Sequence, residues 1–325
     1  MLLSIIIPMY NGTSWIGRCL DSIYNSGCDT NNFEIICVDD FAPDIRQNEI
    51  VESYCEKYNN ISLIRHSSNK RQGGARNTGI SHAKGNFIAF IDQDDTFADG
   101  GILKALKAIK HNLSLDIIMV TAASITKTGI TTSLGYENKN CTDIMTGAEF
   151  IRTQEIPWCP WCYVYNTSFI RKHKLQFVEN VRFEDMDWVM KVTILADRFK
   201  FIPIDLIRYH ISEEQTSFFG NDCGRIRDWL YMTDRVRQVA LNNPHNKGSN
   251  AILNHYRFSY NSFLKRYLWR LKFTEIKTLL AAYPPYTPNS ILMQLAKSPT
   301  FFATLCKLCS PILTTLWLLK KHLRH

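Results

Sequence analysis

Three continuous apolar segments, each ending in a polar cluster, constrain the fold of this chain more than any other feature. They are "LLSIIIP" at 2–8, "FEIICVDD" at 33–40 and "GNFIAFIDQDD" at 85–95, and "ISLIRH" at 61–66 and "LDIIMV" at 115–120 are weaker copies. Strands that are buried on both faces have this composition, because they present apolar side chains in both directions. The segments therefore predict buried strands of a mainly parallel sheet.

Helix-like segments separate these strands. They lie at Thr13–Ser26, Pro43–Tyr58, Gly73–Ala83 and Gly100–Lys110. Thr13 is a candidate N-cap for the first of them. Regular alternation of strand and helix is typical of a doubly wound α/β sheet. From about Arg225 onward the sequence predicts helices only.

The polar clusters that end the strands indicate where a ligand binds. Ligands of a doubly wound sheet lie beyond the carboxyl ends of its strands, so "PMYN" at 8–11, "VDD" at 38–40 and "DQDD" at 92–95 are predicted to share one edge. Crowded carboxylates repel one another, and a hard divalent cation offsets that repulsion. Such an ion takes its remaining ligands from water and phosphate oxygens, so a diphosphate-bearing substrate is implied. The ring of Tyr10 suits stacking on a base.

Two further motifs are weaker signals. "NKRQGGARNTG" at 69–79 lacks both the G-x-G-x-x-G and the G-K-[ST] spacing, although Arg71 and Arg76 are candidates to meet a phosphate. "WCPWC" at 158–162 has no second C-x-x-C to complete a zinc site, so packed thiols are the favoured interpretation. The ten cysteines are scattered, and the first residues lack a signal-peptide pattern. Reduced thiols in a cytosolic protein are therefore expected.

Six segments together resemble, in order, the motifs of family 2 glycosyltransferases with the GT-A fold. They are "SIIIPMYN", "VDDFAPD", "NKRQGGARNTG", "GNFIAFIDQDD", "WCYVYNTSFI" and "FEDMDW". The resemblance covers roughly residues 2–210. It implies a doubly wound, mixed, mainly parallel α/β sheet with a Rossmann-like nucleotide-binding half and a helical C-terminal extension. The implied domains are 1–220, divided into a nucleotide-sugar half at 1–120 and an acceptor half at 121–220, and a basic helical region at 221–325.

The resemblance also implies an activity. Family members transfer a sugar, with inversion, from a nucleotide sugar to an acceptor hydroxyl, and the donor is usually UDP-linked. The implied acceptor is a glycan or a lipid-linked saccharide, as in the synthesis of surface polysaccharide, lipopolysaccharide or capsule. Because the Q-x-x-R-W of processive synthases is missing, a single addition is expected.

Matched position by position, the resemblance gives each motif residue a role. The residues implied to bind the donor nucleotide are Pro8, Tyr10, Asn11, Asp39, Asp40, Arg76, Asp92 and Asp94. Arg76 is expected near the base or the diphosphate. A Mn²⁺ or Mg²⁺ ion is expected on Asp94 or Asp95. Asp185, beside Glu184, resembles the catalytic base.

Several positions depart from the family pattern, and one is the proline usual soon after the D-x-D, which is absent, with Asp99 near its place. The usual "VDDGSTD" is "VDDFAPD" here, so Phe41 stands where the family has a glycine. Arg71 occupies another position that is usually glycine. No acid of the motifs is lost, so the departures concern the fit of the donor more than the activity.

The positive charge of the chain is concentrated near its end. The net charge is +8, and residues 251–325 hold eleven Lys and Arg against one acid, a net of +10, so the remainder carries 8 − 10 = −2. Within 301–325, Lys307 and Pro311 interrupt the apolar stretch, which predicts helices that lie on an anionic membrane surface rather than span it. An ordinary helical subdomain is the alternative. A cytoplasmic, peripheral position at the inner face of the cell membrane is expected, with no nucleic-acid partner.

Three other classes of protein share parts of this pattern. A sugar nucleotidyltransferase needs a Gly-rich loop with a basic residue after the first strand, which "PMYNGTS" lacks. A phospho-accepting receiver domain needs an acid pair there. A non-catalytic nucleotide-sugar-binding protein would not need the intact acids. A glycosyltransferase is therefore the predicted class, with the nucleotidyltransferase and the non-catalytic binder as alternatives.

Overall fold

The computed structural model describes residues 1–126, 129–134, 143–154, 156–211 and 223–256, together with 274, 275, 278, 282 and 283. The chain forms two units. One comprises Met1–Gln215 with His245–Ser249, and the other the rest of the chain. The predicted domain boundary at 220 and the predicted membrane-surface segment at 301–325 lie outside the described residues.

Strands of the first unit form one mixed sheet. The described strands are β1 (Leu3–Met9), β2 (Phe33–Asp39), β3 (Ile61–Arg65), β4 (Phe87–Phe90), β5 (Thr96–Phe97), β6 (Ile117–Thr126), β7 (Gly129–Leu134), β8 (Tyr163–Asn166) and β9 (Phe199–His210). Their order is β3-β2-β1-β4-β8-β6-β9-β5, and β7 pairs with β6. The neighbours from β3 to β4 are parallel, as are β6 and β9, whereas β8, β7 and β5 pair antiparallel.

Eight α-helices occur among the described residues. They are α1 (Ile16–Tyr24), α2 (Arg46–Lys57), α3 (Arg71–His82), α4 (Gly101–His111), α5 (Gly147–Thr153), α6 (Thr167–Lys172), α7 (Glu184–Leu195) and α8 (Cys223–Asn242). The first four follow β1, β2, β3 and β5, as the alternation predicted. No described helix is long and apolar enough to cross a membrane.

The burial of the strands explains their composition. Every residue of β1, β2 and β4 is buried, since these strands have a neighbour on each side and helices cover the sheet. In β3, at the edge, Ser62 and Arg65 are exposed. The continuous apolar segments therefore correspond to central strands, as predicted.

One local prediction was wrong. Thr13 does not cap α1: the N-cap position is Trp15, which makes no side-chain capping bond. The hydroxyl of Thr13 instead donates to Asp44 Oδ2, at 2.9 Å. The loop after β1 is thereby connected to the loop after β2. The described cysteines Cys19, Cys28, Cys37, Cys55, Cys159 and Cys162 are all free. Reduced thiols throughout a cytosolic protein stay a prediction.

Candidate active site

The loops that follow the parallel strands have an unusual backbone. Among the described non-glycine residues with positive φ, Asn11 follows β1, Phe41 follows β2 and Arg71 lies beyond β3, with φ of 54°, 61° and 61°. Phe183, at φ 66°, directly precedes Glu184. Such conformations are costly for residues with a side chain and cluster at functional sites. They mark the edge of the sheet that the polar clusters predicted.

Tyr10 is held by a residue that the sequence did not single out. Gln93 Oε1 accepts from the Tyr10 amide at 3.0 Å, and Gln93 Nε2 donates to the Tyr10 carbonyl at 2.8 Å. The backbone of Tyr10 is therefore fixed to the "DQDD" turn, while its ring remains 46% exposed. Pro8, two residues earlier, is buried within β1.

The two aspartates after β2 have different surroundings. Asp39 accepts from Ala42 N at 3.0 Å, from Gln47 Nε2 at 2.9 Å and from Asn48 Nδ2 at 2.7 Å. Both of its carboxylate oxygens are therefore used to connect the loop with α2. Its role in binding a nucleotide stays a prediction.

Asp40 keeps one oxygen available. Its Oδ1 lies 2.8 Å from His66 Nδ1 and accepts from the Lys70 amide at 2.8 Å. Its Oδ2 has no hydrogen-bond partner among the described residues. His66 Nε2 lies 2.8 Å from Thr78 Oγ1 on α3, which fixes the imidazole. Asp40 rather than Asp39 therefore has a carboxylate oxygen without a partner, on a side chain that is only 4% exposed.

Arg76 connects the carboxylates of two distant motifs. Its Nη1 donates to Glu184 Oε1 and to Asp185 Oδ1, each at 2.7 Å, and its Nη2 donates to Asp92 Oδ1 at 2.9 Å. The guanidinium is fully buried and lies 5.3 Å from the centre of the Phe177 ring. Arg76 was expected to contact the base or the diphosphate, and the structure places it beneath the acids instead. A direct contact with the nucleotide stays a prediction.

Burial and the charges of this cluster shift the pKa values of Arg76, Glu184 and Asp185. Burial alone would lower the pKa of Arg76, but the three carboxylates outweigh burial and raise it. Burial also raises the pKa of Glu184, despite the opposing charge of Arg76. Burial, and then the charges of Glu184 and Asp92, raise the pKa of Asp185 to about 8, although Arg76 opposes them. Because the Asp185 side chain is still 32% exposed, this carboxylate combines raised basicity with access to a ligand.

The last two acids of "DQDD" differ in exposure. Asp95 is fully buried, accepts from the His210 amide through Oδ1 at 2.9 Å, and leaves Oδ2 without a partner. Burial, followed by the charges of Asp92 and Asp94, raises the pKa of Asp95 well above its usual range. Asp94 instead lines a cleft of about 270 Å³. The other residues of the cleft are Trp15, Arg18, Ile125, Thr126, His210 and Ile211.

This donor set fits a cation that is completed by a substrate. No group of three or more His, Cys, Asp or Glu side chains that could hold a metal occurs in the part of the chain that the structure describes. Magnesium-type sites often use one or two carboxylates together with substrate phosphates. Asp94 is on the cleft surface and Asp95 is not, so the geometry favours Asp94 as the ligand.

The sequence of this chain matches a known family. The family model described as Glycosyl transferase family 2 matches residues 4–175, more than half of the chain. The chain belongs to this family. The predicted family and the predicted enzyme class, a glycosyltransferase, are therefore confirmed.

Relatives of this family 2 glycosyltransferase include enzymes of polymer glycosylation. A poly(ribitol-phosphate) beta-glucosyltransferase of Bacillus spizizenii is 36% identical over 61% of this chain and 30% of its own length. The uncharacterised glycosyltransferase EpsJ of Bacillus subtilis is 31% identical over 64% of this chain and 60% of its own length. The chain thus spans less than two thirds of these relatives.

A solved structure has the same fold. The crystal structure of residues 1–349 of S. aureus TarS in complex with UDP-GlcNAc covers 93% of this chain and 89% of its own, with a TM-score of 0.71 and 19% identity. This match confirms the predicted GT-A fold of mixed α/β type.

Proposed function

We propose that the chain transfers a sugar from a UDP-linked donor to an acceptor hydroxyl, with inversion, and that Asp185 is the base. The observation that carries the proposal is a pair of contacts: Arg76 donates a hydrogen bond to Asp92, after β4 in the predicted nucleotide half, and another to Asp185, at the start of α7. Asp92 of the D-x-D motif and the candidate base Asp185 are therefore distant in the sequence but close together in the folded chain.

The donor is bound along the carboxyl ends of β2, β1 and β4. Tyr10 offers its exposed ring to the base, and Asp40 Oδ2 is free to accept a hydrogen bond from it. TarS, which has the same fold, is described in complex with UDP and with UDP-GlcNAc, which supports a UDP-linked donor. The diphosphate then lies toward Asp92 and Asp94, next to the guanidinium of Arg18 in the cleft.

Asp94 would hold a Mn²⁺ or Mg²⁺ ion together with the diphosphate. When bound, the cation stabilises the negative charge that the leaving nucleoside diphosphate gains. Arg76 already donates hydrogen bonds to Asp92, Glu184 and Asp185, so its role in this step is to hold these carboxylates in place.

Asp185 takes the proton of the acceptor hydroxyl. As the acceptor oxygen attacks the anomeric carbon from the face opposite the diphosphate, the bond to the diphosphate breaks and the nucleoside diphosphate leaves with the electron pair. One displacement inverts the anomeric centre. The partly exposed carboxylate, with a pKa of about 8, is more basic than an ordinary aspartate once it is ionised.

The acceptor is a hydroxyl-bearing polymer or lipid-linked saccharide of the cell surface. Support comes from the relatives that are named poly(ribitol-phosphate) glycosyltransferases, in Bacillus spizizenii and S. aureus. A position at the inner face of the cell membrane, whose lipids are anionic, fits the +10 charge of residues 251–325.

Two measurements test the proposal. Calorimetry should show that the chain binds UDP, and binds it more tightly with Mn²⁺. A screen of nucleotide sugars should then reveal slow donor hydrolysis with UDP-linked donors. Absence of UDP binding, or hydrolysis limited to donors with another nucleotide, would contradict the proposed donor.

A further inference from the structure

Phe41 has a backbone and an exposure that its residue type does not favour. Its φ is 61°, in the left-handed region, and its side chain is 57% exposed. A bulky residue at positive φ is a genuine outlier, because its Cβ approaches the backbone, and an apolar ring in water adds to the cost. Glycine or asparagine would adopt this turn more readily.

The surrounding hydrogen bonds keep Phe41 in this conformation. On one side of Phe41, the Asp40 amide donates to Met9 O at 2.9 Å, and Asn69 Nδ2 donates to Asp40 O at 3.0 Å. On the other side, the Ala42 amide donates to Asp39 Oδ1 at 3.0 Å. The backbone is therefore fixed before and after the residue, and the fold sets the direction of the Cα–Cβ bond of Phe41.

The ring of Phe41 packs against no other aromatic ring in the described part of the chain. The neighbouring strand end, after β1, carries Tyr10, a candidate for binding the base of the nucleotide. Met9 pairs with Asp39 in the parallel register of β1 and β2, so Tyr10 follows β1 where Asp40 and Phe41 follow β2. Two exposed aromatic residues, Tyr10 and Phe41, thus follow neighbouring strand ends, on either side of the position of Asp40 in the register. A flat heterocycle with an N–H group suits this arrangement.

The position of Phe41 in the sheet decides which part of the donor it meets. The strand order is β2-β1-β4, so β1 separates Phe41 from the "DQDD" turn after β4. Adjacent strands are about 4.8 Å apart, which puts roughly 10 Å between the two strand ends. The acids of that turn belong to the diphosphate end of the site, so Phe41 lies at the base end.

We propose that Phe41 stacks on the base of the donor nucleotide and is a second aromatic contact beside Tyr10. This inference rests on the proposed function, because it requires a nucleotide in the site. It assigns a binding role to a residue at which the chain departs from the glycine of the family pattern.

The test uses the Phe41→Gly and Phe41→Trp variants of the full chain. Stacking of a base on an aromatic side chain corresponds to about tenfold or more in affinity. Calorimetry should therefore show that Phe41→Gly binds UDP about tenfold more weakly, whereas Phe41→Trp binds it at least as well as the wild type. The Tm of Phe41→Gly should rise, since glycine relaxes the positive φ. A purely structural role would instead lower the Tm.

Two controls make the result specific. Leu113→Ala removes a similarly exposed apolar side chain, 51% against 57% for Phe41, away from the site and should leave UDP binding unchanged. Inorganic diphosphate has no base, so the wild type and Phe41→Gly should bind it equally. If Phe41→Gly binds UDP like the wild type, or loses diphosphate binding as well, this inference alone is overturned. If the wild type does not bind UDP, the proposed function fails as well.

Discussion

At the scale of single residues, the raised pKa of Asp185 determines how activity responds to pH. The base must be ionised to accept a proton, and its pKa is about 8. We expect kcat/KM for transfer to rise with pH and to level off above about 8. Asp185→Asn should lower turnover about 10²- to 10⁴-fold, the usual contribution of a general base, with UDP affinity unchanged.

A matched substitution separates this role from a general loss of charge. Asp99→Asn removes an exposed carboxylate in the segment after β5 and should leave the pH profile as it is. Turnover of Asp185→Asn near that of the wild type would show that another group takes the proton.

The Asp185 carboxyl group makes the stability of the fold decrease as the pH rises, whereas most aspartates have the opposite effect. Its pKa is raised on folding, so the folded state holds the proton more tightly than the unfolded chain. This stabilisation is complete below the unfolded pKa of about 3.9 and is lost as the pH rises through about 8. Asp185→Asn cannot ionise, so its Tm relative to the wild type should increase between pH 5 and pH 9 in thermal melts. A constant difference would show that the group titrates normally.

Arg76 should matter more for folding than for contact with the substrate. Removing one partner of a buried ionic cluster leaves uncompensated charge and costs about 3–5 kcal/mol. Arg76→Met should therefore unfold at much lower denaturant concentration than the wild type, because Asp92, Glu184 and Asp185 would remain without their cation. Adding Glu184→Gln should recover part of the loss. If Arg76→Met were as stable as the wild type but failed to bind UDP, the earlier expectation of a nucleotide contact would be supported instead.

At the scale of elements, the close packing of α3 against the segment before α7 keeps the cluster in place. A Cβ on Gly73 of α3 would lie 2.3 Å from the Val178 carbonyl oxygen and 3.3 Å from Glu184 Cγ. Gly73→Ala should therefore displace the segment at Val178 and the start of α7, which carries Glu184 and Asp185. We expect a lower Tm and slower transfer, measured on the same preparation.

Gly17 in α1 is the matched control for this prediction. A Cβ there would meet only Ile50 Cγ2, at 3.9 Å, an ordinary contact. Gly17→Ala should raise stability by about 0.5–1 kcal/mol, since alanine is the better helix former. Equal effects of the two substitutions would contradict the packing argument.

The elements also show what the sequence could predict. β1, β2 and β4 were predictable because buried parallel strands require continuous apolar runs, and their ends located Tyr10 and the acid pairs. The different hydrogen bonding of Asp39 and Asp40 was not predictable from the sequence, because it depends on contacts with Gln47, Asn48 and His66 that form only in the folded chain. A histidine directly after β3 was the available signal.

Arg76 shows a second limit of sequence reasoning. Its partners Glu184 and Asp185 lie 108 and 109 residues away, and no spacing rule connects a residue in a helix to a motif that distant. Resemblance to the family indicated that the arginine matters at the site. Only the folded chain shows that three carboxylates surround it.

At the scale of the whole molecule, the uneven charge predicts how the protein partitions between water and membranes. Residues 251–325 carry a net charge of +10 and the rest −2, and each basic residue near an anionic bilayer contributes about 1 kcal/mol. We expect the full chain to co-sediment with vesicles that contain anionic lipid and not with neutral ones. Binding should weaken as salt rises, because ions screen the attraction.

Charge-reversal variants distinguish membrane attraction by the basic region from a response to the total net charge. Lys320→Glu with Lys321→Glu reverses two charges of the basic region, whereas Lys104→Glu with Lys107→Glu changes the net charge equally on exposed positions of α4. Both variants reduce the net charge from +8 to +4, so a response to total charge alone would weaken vesicle binding to the same degree in each. We expect a strong loss for the first variant and little for the second, because only the basic region concentrates enough charge to overcome the negative remainder of the chain. Equal losses would mean that the basic region does not guide the protein to the membrane.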